Sequence, residues 1–407
     1  MNETTPATEA TEGAEATEAG LRDRVRAFLA EHDPATTPHA EFLAARFAAG
    51  LAAVTYPAGH GGLGLPRGLQ SAVDEEFAKA GAPVLEPGRN VIGLGMAAPT
   101  IIAFGTAEQL DKYLLPLWTG DEIWCQLFSE PGAGSDVAGL ATRAVRDGDD
   151  WVVNGQKVWT SLAHHARWGL LLARTDPDVP KHAGLTYFVI DMTAPGVDVR
   201  PLRQLTGEAE FNEIFLTDVR IPDSDRLANI GDGWKVATTT LMNERVSIGS
   251  GRSTGREEGM IGYAAADWRE HPERRTPELH QRLLRLWADA EVARLAGERL
   301  RQQLAAGEPG PEGSAAKLTM ALLNQEISGF EIELDGADGL RYDDWTMRRD
   351  SSSDYARGPA FRYLRAKGNS IEGGTSEVLR NIIAERVLGL PAEPRADKNV
   401  PWKDVPR

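Results

Sequence analysis

The 407-residue sequence predicts an α+β chain of three structured parts, helical, then β, then helical, and three observations predict it. Apolar residues recur at helix spacing from Leu21 onward, the period shortens to that of strands after about Ile123, and helical spacing returns from about Trp234. Those changes divide the chain into a tail over 1–20, a helical domain over 21–122, a middle β domain over 123–232, a second helical domain over 233–391 and a C-terminal tail over 392–407.

Each part has a local reason. Residues 1–20 are Ala, Thr, Glu and Gly with five glutamates and no basic residue, too little apolar surface to offset the entropy of ordering. Leu21, Val25, Phe28 and Leu29, then Phe42, Leu43, Phe47 and Leu51, form helical stripes. Residues 56–66 (YPAGHGGLGLP) are a Gly/Pro loop, and the helix beginning near Gly68 carries Glu75 and Glu76 on what reads as a solvated face. In the middle part, Asp147-Gly148 and Asn154-Gly155 are hairpin signals between β-like runs, and further strands fall at 169–173, 186–190 and 211–215, a barrel or sandwich. Thr276-Pro277 starts a helix whose stripe runs Leu279, Leu283, Leu286, Ala290 and Leu295.

Composition narrows the function. A formal net charge of −16 argues against direct nucleic-acid binding, which depends on neutralising phosphates. Cys125 is the only cysteine, so no intramolecular disulfide forms and a reducing compartment fits. No apolar run approaches the roughly 20 residues that span a bilayer, and no signal peptide is visible, so the expectation is a cytoplasmic enzyme without membrane insertion.

Two segments carry the chemistry, CQLFSEPGAGSD at 125–136 and NGQKVWTS at 154–161. Gly132 and Gly134 strip bulk from a loop, so backbone N–H groups can approach a ligand and favour anionic oxygens. Trp159 offers a flat apolar face, and Ser129, Ser135 and Ser161 offer short hydroxyls. The set suits a planar cofactor that carries phosphates.

These segments, with LTGEAEFNEIF at 205–215 and GGTSEVLRNIIAERVLGLP at 373–391, resemble the acyl-CoA dehydrogenase family from about Leu21 to Pro391. The resemblance implies that family's fold, an N-terminal helical domain, a barrel-like middle domain and a C-terminal four-helix bundle, with FAD as cofactor. It implies that Gln126, Leu127, Phe128, Ser129, Gly134 and Ser135 line the flavin ring and ribityl chain, with Ser135 also on the substrate side. Ser129 would bond the isoalloxazine, Trp159 would pack on it beside Thr160, and Ser161 would bond near its N5, while Gly374, Thr375, Ser376 and Glu377 would close over the diphosphate. The family removes an α proton and a β hydride from an acyl-CoA thioester, leaving a 2-enoyl-CoA, and passes its electrons to an electron-transfer flavoprotein or a similar acceptor.

The chain also departs from the family. Many members carry the catalytic carboxylate where this sequence has Gly373. A subset, isovaleryl-CoA-type enzymes among them, carries it at the position of Glu244 in LMNERVSIG, so Glu244 is the expected base and Glu372 its rival. Arg245 would orient Glu244 or the substrate, and the Gly373 amide would bond the thioester oxygen. Glycine at 373 leaves room for a branched or bulky acyl group. The family's Arg-x-x-Phe-Gly and Gln-x-x-Gly-Gly segments, which reach a neighbouring subunit's flavin, read GRSTGREEGMIGYA and LDGADGL here. A mixed tetramer with a second family-like chain therefore stands beside a homo-oligomeric dimer of dimers. Other readings are a carrier-protein thioester in place of CoA, a flavin monooxygenase on the same fold, and a structural subunit completing a partner's site.

Three patterns read as decoys. Gly251–Gly255 matches GxSxG around Ser253, but the preceding segment is helical where a hydrolase needs a strand. Ser314-Ala-Ala-Lys317 matches SxxK without companion motifs and reads as a helix start. His164-His165 would point to opposite sides of a strand and make no metal site.

Overall fold

The computed structural model describes residues 17–84, 89–249, 255, 257, 259–306, 311–342, 344–349, 357–395 and 397–406, the side chains of 245–249 and 304–306 excepted. The chain forms two compact units, residues 1–124 and residues 125–407.

The first unit is helical: α1 (Glu18–Glu31), α2 (His39–Ala48), α3 (Gln70–Lys79), α4 (Ala98–Phe104) and α5 (Ala107–Thr119). The Thr17 hydroxyl accepts the Gly20 N–H at 3.1 Å and caps α1, so residues 18–20, expected in the tail, are helical. At α5, Thr106 and Gln109 form a reciprocal capping box. The stripes seen in the sequence meet in a core where the Phe28, Phe42 and Phe77 rings pack edge to face with centroids 5.4 to 6.1 Å apart.

Glu76 corrects the solvated-face expectation. It is buried, and it accepts from Lys79 at 2.8 Å, Arg26 at 3.1 Å and Arg22 at 3.1 Å, while exposed Glu75 shares Arg22. Hydrogen bonds from Lys79 and Arg26 lead the causes that hold its carboxyl at about 2 instead of 4.5. A depressed carboxyl stabilises the fold fully above its unfolded value, and the benefit fades as pH falls through the folded one. The melting temperatures of the wild type and Glu76→Gln are therefore expected to differ at neutral pH and to converge as pH approaches about 2. A constant gap across that range would contradict this.

The strands are β1 (Trp124–Leu127), β2 (Arg143–Asp147), β3 (Asp150–Ser161), β4 (Trp168–Arg174), β5 (Leu185–Asp191), β6 (Val197–Pro201), β7 (Phe211–Pro222) and β8 (Arg226–Leu227). They form one sheet in the order β6-β7-β3-β2-β4-β5-β8, with β1 on β4. The β2–β4 contact is parallel and the other registered pairs are antiparallel. Trp151, Val153, Leu171, Phe188, Ile214 and Ile221 belong to its buried core. Asp147-Gly148 makes the expected hairpin, with Gly148 at φ +65. Asn154-Gly155 does not. It lies inside β3 at a register shift, where a Cβ on Gly155 would come within 2.3 Å of the Thr142 hydroxyl. Glycine is required there by close approach of a neighbour, not by a turn.

Helices follow: α6 (Gly233–Gly249), α7 (Met260–Glu270), α8 (Pro277–Ala306), α9 (Gly313–Asp335), α10 (Pro359–Ala366) and α11 (Ser376–Ile382). The Leu279 N–H donates to the Thr276 hydroxyl at 3.2 Å, the expected cap of α8. Leu283 and Leu286 are buried against Ile261, Phe330 and Leu334, but Leu295 is exposed, so the expected stripe leaves the core partway along α8. Helix α9 is central, packing on α6, α7, α8, α10 and α11. The segment expected as a C-terminal tail packs on the β strands' loops: Trp402 Nε1 donates to Gly139 O at 3.0 Å, and the Arg174 guanidinium lies 4.3 Å over its ring. Among the described residues, no helix is long and apolar enough to cross a membrane.

Candidate active site

The 126–135 segment leaves β1 and turns sharply, with Glu130 and Ala133 exchanging both backbone hydrogen bonds at 3.0 Å. A Cβ on Gly132 or Gly134 would meet nothing within 4 Å, and neither glycine has a positive φ. Neither a left-handed backbone nor a close neighbour demands glycine at these positions. Leu127 and Phe128 are buried beneath, Gln126 and Ser129 are half-buried, and Gly134 and Ser135 are exposed.

The support lies below this loop. Lys157, fully buried on β3, donates to Phe128 O at 3.0 Å, Leu172 O at 2.9 Å and Glu130 Oε1 at 2.8 Å. Glu130 in turn accepts the N–H groups of Ala141 at 2.6 Å and Thr142 at 2.9 Å. Burial works to raise the Glu130 carboxyl, but the Lys157 charge and these hydrogen bonds outweigh it and hold it below the usual range. Val158 N–H donates to Ser129 O at 2.9 Å, tying the loop to β3.

The register of β3 on β7 shifts between Lys157 and Thr160, and Trp159 takes φ +63 there. An L-residue in that region is strained. The bulge turns the indole outward, 58% exposed, with its edge on Phe211 at 5.9 Å. Thr160 is buried and Ser161 half-buried at the strand's end. His164 and His165 lie in the turn after β3 with ring centroids 4.1 Å apart, not on a strand as expected.

The last motif stands against α9. Gly373 and Gly374 have φ +62 and +96, and the Thr375 hydroxyl caps α11 by accepting Val378 N–H at 3.2 Å. Ser376 is buried, and Glu377 is exposed on the first turn. Glu372 is held by Arg365 at 3.0 and 3.1 Å and by Asn369 at 2.6 Å. Lys317 Nζ donates to Gly374 O at 2.7 Å.

Glu244 sits half-buried on α6. One turn before it, buried Thr240 pairs with the Tyr187 hydroxyl at 2.9 Å, and the Tyr187 ring stands edge-on to Phe128 at 5.8 Å. Burial first, and then the Glu244 charge, push the Tyr187 phenol up. Burial lowers the Lys317 ammonium, opposed by the charges of Glu372 and Glu244. The Glu244 charge thus acts on Tyr187, which packs against Phe128 of the first motif, and on Lys317, which holds the last motif. The Arg245 side chain and Ser253 lie outside the described residues. Lys317, Tyr187 and the Lys157–Glu130 pair were not foreseen. For Lys317 the signal was a lone lysine in apolar surroundings, SAAKLTMALL, which a helix-start reading passed over.

Family models for the acyl-CoA dehydrogenase N-terminal, middle and C-terminal domains match residues 8–121, 125–219 and 231–388 in succession. The chain belongs to the acyl-CoA dehydrogenase family. That family comprises FAD-binding oxidoreductases that act on acyl-CoA. Over 354 residues the chain is 40% identical to the acyl-CoA dehydrogenase IpdE1 of Mycobacterium tuberculosis, covering 85% of this chain and 86% of that protein. It is 39% identical to FadE34 of the same organism over 92% of this chain, yet it spans only about half, 49%, of that relative's length. Among solved structures, the Tcur3481-Tcur3483 steroid ACAD matches at TM-score 0.70 and 28% identity, covering 97% of this chain and 100% of that one. The ChsE4-ChsE5 complex from Mycobacterium tuberculosis matches at TM-score 0.66 and 30% identity, again over 97% and 100%.

Proposed function

We propose that this chain is an FAD-dependent acyl-CoA dehydrogenase that converts an acyl thioester to its 2-enoyl thioester, with Glu244 taking the α proton. The contrast between two carboxylates carries the choice of base. The Glu372 oxygens are occupied by Arg365 and Asn369, whereas Glu244 is half-buried and its charge reaches both Tyr187 and Lys317. A base must be a carboxylate positioned at the reacting carbon, and Glu244, whose charge acts on groups packed against both motifs, fits that role better than a carboxylate clamped by Arg365 and Asn369.

The cofactor reading is supported by the open space over Gly132 and Gly134 and by the outward indole of Trp159. Residues 126–129, 134–135, 159–161 and 374–377 would hold FAD, which when bound supplies the acceptor for the β hydride. The Gly373 amide would donate to the thioester oxygen and stabilise the charge that develops there as the α proton leaves. Ser135 and Arg245 would face the substrate. Gly134→Val is expected to weaken FAD binding at least tenfold in titrations of the apoprotein, because the added carbons enter the ligand's space. Its apoprotein melting temperature should stay within a few degrees of wild type, since no protein atom meets the new Cβ.

A branched or ring-bearing acyl group is the substrate class we favour, on the glycine at 373 and the likeness to a structure named a steroid ACAD. The departure at LDGADGL, with a neighbour solved as a two-component complex, supports a mixed oligomer with a second family-like chain. The test is to purify the chain with and without such a neighbour, record its flavin spectrum, and add acyl-CoA thioesters anaerobically. Flavin bleaching with stoichiometric enoyl product is expected. Oxygen consumption with no enoyl product would overturn the dehydrogenase reading.

A further inference from the structure

Two consecutive glycines in the left-handed region have no side chain to choose their conformation, and each samples alternatives that other residues cannot. Gly373 and Gly374 occupy that region at φ +62 and +96, at the point where a single amide must be aimed. One side of the turn is set by the Thr375 cap on α11. The other side is set by Lys317, which is 1% exposed, stands on the first turns of α9, and meets the Gly374 carbonyl at 2.7 Å.

An ammonium is expensive to bury, and a salt bridge is the usual compensation. Here the hydrogen bond goes to a backbone carbonyl, while Glu372 and Glu244 act on the charge through space. Glu372 is itself fixed by Arg365 and Asn369. Helix α9 packs on α6, which carries Glu244, and on α11, which follows the glycine turn. The buried ammonium therefore joins the two elements that would have to converge on one α carbon.

We propose that Lys317 is a positioning residue: by holding the Gly374 carbonyl it fixes the Gly373–Gly374 turn so that the Gly373 amide points at the thioester oxygen. This rests on the role given above to Gly373. A charge-assisted hydrogen bond to the turn selects one conformer of an otherwise permissive pair, and the same charge favours an ionised Glu244 beside it.

The test reads the thioester oxygen directly. The FAD-loaded protein is mixed with [1-13C]crotonyl-CoA, and the isotope-edited infrared band of the labelled carbonyl is compared with that of the free thioester. In the wild type the band is expected at lower frequency than in solution. In Lys317→Met, which keeps the apolar stem, at least half of that displacement should be lost at unchanged flavin occupancy. On an acyl-CoA that bleaches the flavin, kcat should fall roughly tenfold to a hundredfold with KM within about threefold, less than the loss of an oxyanion donor outright. Lys317→Gln, with a shorter neutral donor, should give an intermediate band. A wild-type band at its free position would sink the reading of Gly373 itself. A displaced wild-type band that Lys317→Met and Lys317→Gln leave unmoved would sink only the role of Lys317, whatever happens to their stability.

Discussion

Glu244→Gln is expected to slow anaerobic flavin bleaching by acyl-CoA by about 10²- to 10⁴-fold, the range that a positioned general base contributes. The amide keeps the shape of the side chain and cannot take the α proton. Thr240, the residue that ties this stretch of α6 to Tyr187, is untouched, so the helix and its packing should persist. Flavin content and melting temperature should therefore match wild type. Glu372→Gln should behave in the opposite way. It removes charge from a carboxylate bound by both terminal nitrogens of Arg365, which also faces Glu210 at 3.5 Å. Hydrogen bonds to charged groups contribute about 1.5–3 kcal/mol, so that variant should melt earlier while bleaching within about tenfold of wild type. If Glu372→Gln abolished bleaching and Glu244→Gln did not, the assignment of the base would be reversed.

The second large effect is expected beneath the 126–135 loop. Lys157→Met leaves Glu130 as a buried carboxylate without its cation, and breaking one side of such a pair costs about 3–5 kcal/mol. Chemical denaturation should register that loss, and FAD titration should register weaker binding, because Lys157 also holds the carbonyl of Phe128. Replacing the whole pair is often harmless in proteins whose buried ions bind only each other. That escape is closed here. With both side chains apolar, Phe128 O and Leu172 O lose their donor, and Ala141 N and Thr142 N lose their acceptor. Lys157→Met with Glu130→Leu should thus recover only part of the stability. Full recovery would mean that those backbone groups find other partners and that the pair is dispensable.

Much of this molecule was legible before any coordinates. The changes of hydrophobic period near Ile123 and Trp234 mark where helices give way to strands and return, because burial on one face imposes the period of the element that carries it. Thr276-Pro277 and Asp147-Gly148 act on their own backbones, and they start α8 and turn β2 into β3 as expected. The segments 125–136 and 154–161 carried the family resemblance, and the family models match the chain across them.

What the sequence by itself determined, then, is whatever a residue does to its near neighbours: the succession of elements, their caps and turns, and the family to which the motifs belong. The tertiary structure alone decided which distant groups meet. Asn154-Gly155 has the dipeptide of a turn but runs straight through β3, because Thr142 leaves no room for a Cβ. Glu76 is buried under cations from two helices, Lys317 reaches a carbonyl 57 positions away, and Trp402 finds one 263 positions away. The energy of such contacts depends on burial and on a partner's charge, and neither exists until the chain has folded.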